Sequence, residues 1–150
     1  LCFKDGRPYS KHYLVETEDN VPSILNFYSR QGTNDLKKLG IGNIFDTPKP
    51  VDSLKFLIRI STKKDDIVMD YFAGSGSLAQ AVYEINKETN NNIKYVLIQR
   101  EEKVNSKSIV YKTCEKFNIT PSIDEILKFR INCYLKTKKL DKDYEVYKID

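Results

Sequence analysis

Asp70 precedes two closely spaced glycines in the run Asp70-Tyr71-Phe72-Ala73-Gly74-Ser75-Gly76-Ser77. Glycines at alternate positions let a backbone turn sharply and approach a ligand with no Cβ in the way. A helix opening at Ser77 would aim its free N–H groups, and the positive end of its dipole, into the same space. Two glycines in place of three depart from a dinucleotide fingerprint, and an acid ahead of the turn would repel a pyrophosphate. A carboxylate there suits a ligand that carries positive charge, met directly or through a water. Phe72 offers a ring to an apolar face of such a ligand. Taken by itself a Gly-x-Gly is equally what a plain tight turn requires, so the elements around it decide.

Asp66-Ile67-Val68-Met69-Asp70 has the composition of a short buried strand, and Ala73-Gly74-Ser75-Gly76 is the turn after it. Ser77 to Asn86 follows as a helix, with Leu78, Ala81, Val82 and Ile85 at helical spacing. Lys94 to Gln99 is a second strand, whose unbroken Tyr-Val-Leu-Ile run suits a parallel sheet covered on both faces. Upstream, Thr33 to Leu39 is a short helix stopped by Gly40 and Gly42. Pro48 and Pro50 fix an extended approach to a helix over Val51 to Ile60, with Pro50 as its first residue. On that helix Val51, Leu54, Leu57 and Ile58 share one face. Val110, Cys114 and Phe117 mark a further helix. Ser122 with Glu125 forms a capping-box signature opening another that carries Ile123, Ile126 and Leu127. Lys11 to Glu16 has the look of a short strand, and Lys136 to Asp150 gives no pattern. The fold class is α/β, built on a strand–glycine turn–helix–strand unit.

With the acid and both strands in place, S-adenosyl-L-methionine is a fitting ligand, since it carries an ammonium and a sulfonium. The Asp70–Ser77 run resembles the cofactor motif of amino-group DNA methyltransferases, usually written Asp-Pro-Phe-Ala-Gly-Ser-Gly-Thr. Phe45-Asp46-Thr47-Pro48-Lys49-Pro50 resembles the segment that closes over the methionine end of the cofactor in that family. This segment stands just before the glycine turn, as in the permuted class whose catalytic motif lies further toward the amino terminus. Gly32-Thr33-Asn34-Asp35-Leu36-Lys37-Lys38-Leu39, Ile44 to Pro50, and Val96-Leu97-Ile98-Gln99 are similar to stretches of type III restriction-modification Mod subunits, which are adenine-specific. The resemblance covers about residues 20 to 132.

It implies the carboxyl-terminal, cofactor-binding part of such an enzyme. The fold would be a partial Rossmann-like methyltransferase fold, mainly a parallel sheet with helices on both faces. Residues 1–32 would end an upstream target-recognition region or linker, 33–132 would form the cofactor-binding subdomain, and 133–150 a tail. The cofactor residues it implies are Phe45, Asp46, Thr47, Lys49, Asp70, Phe72, Ala73, Gly74, Ser75 and Gly76, with Gln99 and Glu101 for the ribose. The partners it implies are DNA, through the complete protein, a second Mod subunit and a Res subunit. Three departures stand out. Tyr71 replaces the usual proline. Gln99 stands where an acid commonly holds the ribose hydroxyls. The catalytic Asp/Asn/Ser-Pro-Pro-aromatic motif, which receives the extruded adenine, is absent, because Pro8, Pro22, Pro48, Pro50 and Pro121 are never adjacent.

Composition bounds the rest. A chain of 150 residues with 40% hydrophobic and 31% charged residues is one ordinary soluble domain. No apolar run approaches a membrane span, and no metal or disulfide framework emerges from Cys2, Cys114, Cys133 and the lone His12. These features favour a cytoplasmic setting, and a first residue Leu1 in place of Met fits a piece of a longer protein. Arg30, Lys37, Lys38, Lys49, Lys55, Arg59, Lys63 and Lys64 face only Asp35, Asp46 and Asp52, so that stretch is eight bases against three acids, +5, in a chain of net charge +4, and the remainder is close to neutral. It is either a phosphate-holding patch or a solvated helix face. Two rivals remain: a methyltransferase acting on RNA or a small molecule, and an inert remnant of a truncated gene.

Overall fold

The computed structural model describes the backbone of Cys2–Lys4 and Arg7–Tyr9 together with residues 24–148. The strand expected over Lys11 to Glu16, and His12 with it, lies outside the described residues. The described elements are β1 (Cys2–Lys4), β2 (Arg7–Tyr9), α1 (Arg30–Lys38), α2 (Val51–Ser61), β3 (Ile67–Asp70), α3 (Ser77–Thr89), β4 (Lys94–Leu97), α4 (Ile109–Lys116) and α5 (Ile123–Lys138). β1 and β2 form an antiparallel pair. β3 and β4 pair in parallel, Ile67 opposite Lys94 and Asp70 opposite Leu97, with α3 as the crossover between them. The strand–glycine turn–helix–strand unit is therefore present.

Packing follows the helical stripes. Leu78, Ala81, Val82 and Ile85 of α3 are all buried, against Val51 and Ile58 of α2 and against Val68, Tyr95 and Leu97 of the parallel pair. α5 lays Leu127, Ile131 and Tyr134 against Ala73, Ala79 and the same Tyr95 and Leu97. Leu36, Ile41, Ile44, Val110, Cys114 and Ile126 tie α1, the segment after it, α4 and α5 into an adjoining cluster. Burial of these side chains is the main force holding the helices on the sheet.

Several expectations need correction. Among the described residues helices cover one face of the parallel pair, not both. Side chains alternate along a strand, and on the other face Ile67 is 63% exposed, Met69 48% and Val96 40%. Neither strand is buried throughout. Leu57 is 46% exposed, because α3 meets α2 along Val51 and Ile58 and leaves Leu57 at the rim. Pro50 is the N-cap of α2, not its first helical residue, since its ψ of 130° is extended. The capping box is not formed: the Ser122 hydroxyl donates to Asp124 Oδ1 at 2.7 Å and caps no backbone N–H. α1 begins at Arg30, earlier than the Thr33 expected. α5 runs on to Lys138 across residue 132.

Local chemistry sets the ends of the elements that frame the turn. α1 closes in a Schellman arrangement, with Gly40 at φ +74° and N–H bonds from Gly40 to the Lys37 carbonyl and from Ile41 to that of Leu36. The Asn86 amide clamps the entry to β4, accepting from Ile93 N at 2.7 Å and donating to its carbonyl at 2.8 Å. Among the described residues no helix is long and apolar enough to cross a membrane.

Candidate functional site

β3 ends at Asp70, and the turn after it is tied to the end of β4. Ile98 N–H donates to the Asp70 carbonyl at 2.8 Å, and Ala73 N–H donates back to the Ile98 carbonyl at 3.2 Å. The Asp70 carboxylate accepts Phe72 N–H at 3.0 Å through Oδ1. Among the described residues no cation pairs with Asp70. Gly74 and Gly76 both lie in the left-handed region, at φ +51° and +76°. That conformation explains why glycine stands at both positions. Gly76 is the N-cap of α3, and no side chain caps the helix, so its first N–H groups have no side-chain acceptor.

Space around the glycines is used differently from the expectation. A Cβ on Gly76 would stand 3.2 Å from Leu127 Cγ and 3.5 Å from Ile131 Cγ1. The close approach at Gly76 is made by α5. A Cβ on Gly74 would meet the Phe45 ring at 3.3 Å, which brings the Phe45–Pro50 segment up to the turn. Phe72 is 91% exposed, its ring free on the outer side.

Gln99 reaches back from the end of β4. Its Oε1 accepts Gly74 N–H at 2.8 Å and its amide nitrogen donates to the Arg100 carbonyl at 3.0 Å. Glu101 is exposed. Asp46, Thr47 and Lys49 are exposed as well, and Phe45 is the residue of that segment that Gly74 meets. Ala73 is buried in the core, and Ser75 faces inward at 3% exposure.

The inward partner is Arg130, on α5. Its guanidinium is wholly buried and donates through Nη1 to Ser75 Oγ at 2.8 Å and to Ser77 Oγ at 2.5 Å, and through Nη2 to Gln80 Oε1 at 3.1 Å. Among the described residues no carboxylate contacts it and Nε has no acceptor. Burial pushes its pKa down to about 10, with the charges of Asp35 and Glu84 working the other way. Sequence reasoning missed this residue. The available signal was a cation in the middle of the apolar stripe Leu127, Ile131 and Tyr134.

Two further residues that sequence reasoning passed over hold the Phe45–Pro50 segment. Asp35 Oδ2 accepts Val51 N–H at 3.1 Å, serving as the cap that Pro50 does not provide. Gly32 presses the α1 backbone onto Pro48, where a Cβ would fall 2.0 Å from the Pro48 carbonyl oxygen. α2 is clasped to α3 by Lys55, which reaches Glu84 at 3.2 Å and Glu88 at 2.6 Å, and by Arg59, 2.6 Å from Glu88. A separate cleft of about 260 Å³, lined by Asp35, Asp52, Gln80, Glu84, Tyr134 and Lys138 among others, shares no residue with the turn. Among the described residues no cluster of His, Cys, Asp or Glu is fit to hold a metal ion.

Comparison with known proteins gives this arrangement its context. The DNA methylase family matches residues 4–109. The chain belongs to the DNA methylase family. It is 36% identical to the type III restriction-modification enzyme EcoPI Mod subunit of Escherichia phage P1, over 95% of this chain and 22% of that protein. It is 33% identical to the type III StyLTI Mod subunit of Salmonella typhimurium, over 84% of this chain and 17% of the relative. It is 30% identical to the type II methyltransferase M.KpnI of Klebsiella pneumoniae, over 73% of this chain and 27% of that protein. The methylase match includes the whole of the glycine turn and Gln99. The chain thus spans about a sixth to a quarter of the length of these relatives.

Proposed function

We propose that this chain is the S-adenosyl-L-methionine-binding part of a restriction-modification DNA methyltransferase that methylates the exocyclic amino group of adenine. The observation that carries the reading is the placement of Asp70, an acid with no ion partner among the described residues, at the mouth of a glycine turn that opens the uncapped N-terminus of α3. A cationic ligand fits that donor set. Its carboxylate end can meet the free α3 N–H groups, and its positive groups can meet Asp70. Phe72 offers an exposed ring, while Phe45, Asp46, Thr47 and Lys49 would close the methionine end. Glu101, and Gln99 with the amide valences it has left, would hold the ribose. Bound there, the cofactor supplies the methyl group.

The β3–α3–β4 unit is consistent with part of a Rossmann-like methyltransferase fold. On the same reading residues 33–132 form the cofactor-binding part, 1–32 end an upstream target-recognition region or linker, and 133–150 are a tail whose first residues complete α5. The type III relatives extend the proposal to the whole protein: DNA as substrate, a second Mod subunit and a Res subunit as partners, and a cytoplasmic setting. Titration calorimetry with S-adenosyl-L-methionine tests it. Parent chain should bind. Gly74→Val, which places a branched side chain at φ +51° against Phe45, should lose binding while keeping a cooperative melt. Equal affinity in both would remove the turn as the site.

A further inference from the structure

We propose that Arg130 is a positioning residue for the glycine turn, acting on the cofactor from beneath through Ser75 and Ser77. The inference rests on reading the turn as the cofactor site. One nitrogen, Nη1, binds the hydroxyls on either side of Gly76, at 2.8 and 2.5 Å. Gly76 is the left-handed residue, at φ +76°, that redirects the chain into α3. Pinning both neighbours of that residue to one rigid, planar group fixes the angle at which the turn enters the helix. Stability alone does not explain the residue. A fully buried guanidinium with, among the described residues, no carboxylate in contact and no partner for Nε is a costly occupant of a site between Leu127, Ile131 and Tyr134, where an apolar side chain of similar volume would do as well or better.

The serines engaged in this way also cap nothing, so no side chain takes up the N–H groups at the start of α3. β4 holds the other side of the same turn, through Ile98 on Ala73 N–H and Gln99 on Gly74 N–H. Arg130 supplies the hold from α5, and the amides that face the ligand are set before it arrives.

The test uses the full chain with two readouts: cofactor affinity by calorimetry and site-resolved amide hydrogen exchange. Arg130→Met should melt cooperatively, exchange faster at residues 73–79 only, and bind S-adenosyl-L-methionine on the order of tenfold more weakly, the scale of one hydrogen bond to a charged group. Arg130→Lys, which keeps a buried donor, should recover part of that loss. Arg130→Met combined with Ser75→Ala and Ser77→Ala should bind no worse than Arg130→Met, because the three act as one unit. Losses that multiply in the combined variant overturn the proposal, as does exchange that rises evenly over α2 and α3, or stays at the parent's level throughout. If Arg130→Met does not fold, Ser75→Ala alone is measured in the same two ways: weaker binding with faster exchange at residues 73–79 supports the proposal, and parent-like behaviour overturns it. A parent chain that binds no cofactor would sink the assignment of the ligand, while the exchange pattern would still decide whether Arg130 fixes the turn.

Discussion

Gln99 and Glu101 stand two residues apart, yet the structure gives them different work. The Gln99 amide spans from β4 to the glycine turn, with Gly74 N–H on its oxygen and the Arg100 carbonyl under its nitrogen. Glu101 is exposed beyond it. Removing Gln99 therefore leaves a half-buried N–H without its acceptor, a loss of about 0.5–1.5 kcal/mol. Gln99→Ala should lower the unfolding free energy by that amount and weaken cofactor binding as well. Glu101→Ala should weaken cofactor binding alone, with the denaturant midpoint unchanged. Parallel calorimetry and urea titrations separate the two, and a Glu101→Ala chain that binds as the parent does would place the ribose elsewhere. The turn at Gly74 and Gly76 was legible in the sequence because a sharp left-handed turn demands glycine. The serines were not. Their hydroxyls turn toward an arginine more than fifty residues away in the chain, and no local pattern records which way a hydroxyl points.

At the scale of elements, the apolar stripe of α3 and the β3–α3–β4 order were legible, since periodicity reports which face is buried. What covers the other face of a strand is not a local property, and the Tyr-Val-Leu-Ile run of β4 leaves Val96 open in spite of its composition. The place of Gly32 is not a local property either. A glycine looks like a place where a helix stops, but here it sits inside α1 so that the helix can lie on Pro48. Gly32→Ala would gain helix propensity of about 1 kcal/mol and still destabilise, because a Cβ 2.0 Å from a carbonyl oxygen forces the backbones apart. A net loss of about 1–3 kcal/mol is expected, read from the urea midpoint, and a stabilised variant would mean that α1 does not hold the Phe45–Pro50 segment.

The α2–α3 clasp adds a pH dependence. The Lys55 ammonium, donating to Glu88, holds that carboxyl below its ordinary 4.5, with Arg59 adding to the effect. A depressed carboxyl contributes stability above its unfolded pKa and loses it as pH falls through the folded value. Glu88→Gln should flatten the fall in stability below 4.5. The step is well under about 1 kcal/mol, because the pair is partly exposed. An unchanged acid limb in the variant would show that the clasp carries no stability.

For the whole molecule, the charge pattern and the missing motif set what this chain does alone. Of the eight bases between Arg30 and Lys64, ion pairs engage Lys38, Lys55 and Arg59. Arg30, Lys37, Lys49, Lys63 and Lys64 are exposed, enough to hold phosphates without reading sequence. Methyl transfer needs more than that. The extruded adenine must be held with its amino nitrogen in line with the sulfonium methyl, and geometry of that quality is worth several kcal/mol of barrier. No Pro-Pro-aromatic motif occurs in these 150 residues to grip the base. Incubated with labelled cofactor and adenine-rich duplex DNA, the chain alone should transfer no methyl group, while DNA retention should fall steeply with added salt. A hybrid in which the chain replaces the matching segment of the EcoPI Mod subunit should restore transfer if the grip on the base lies outside that segment. Transfer by the isolated chain would overturn this division of labour. A hybrid that binds cofactor and leaves DNA unmodified would instead make this chain a binding remnant, with its turn intact and its partner surfaces lost.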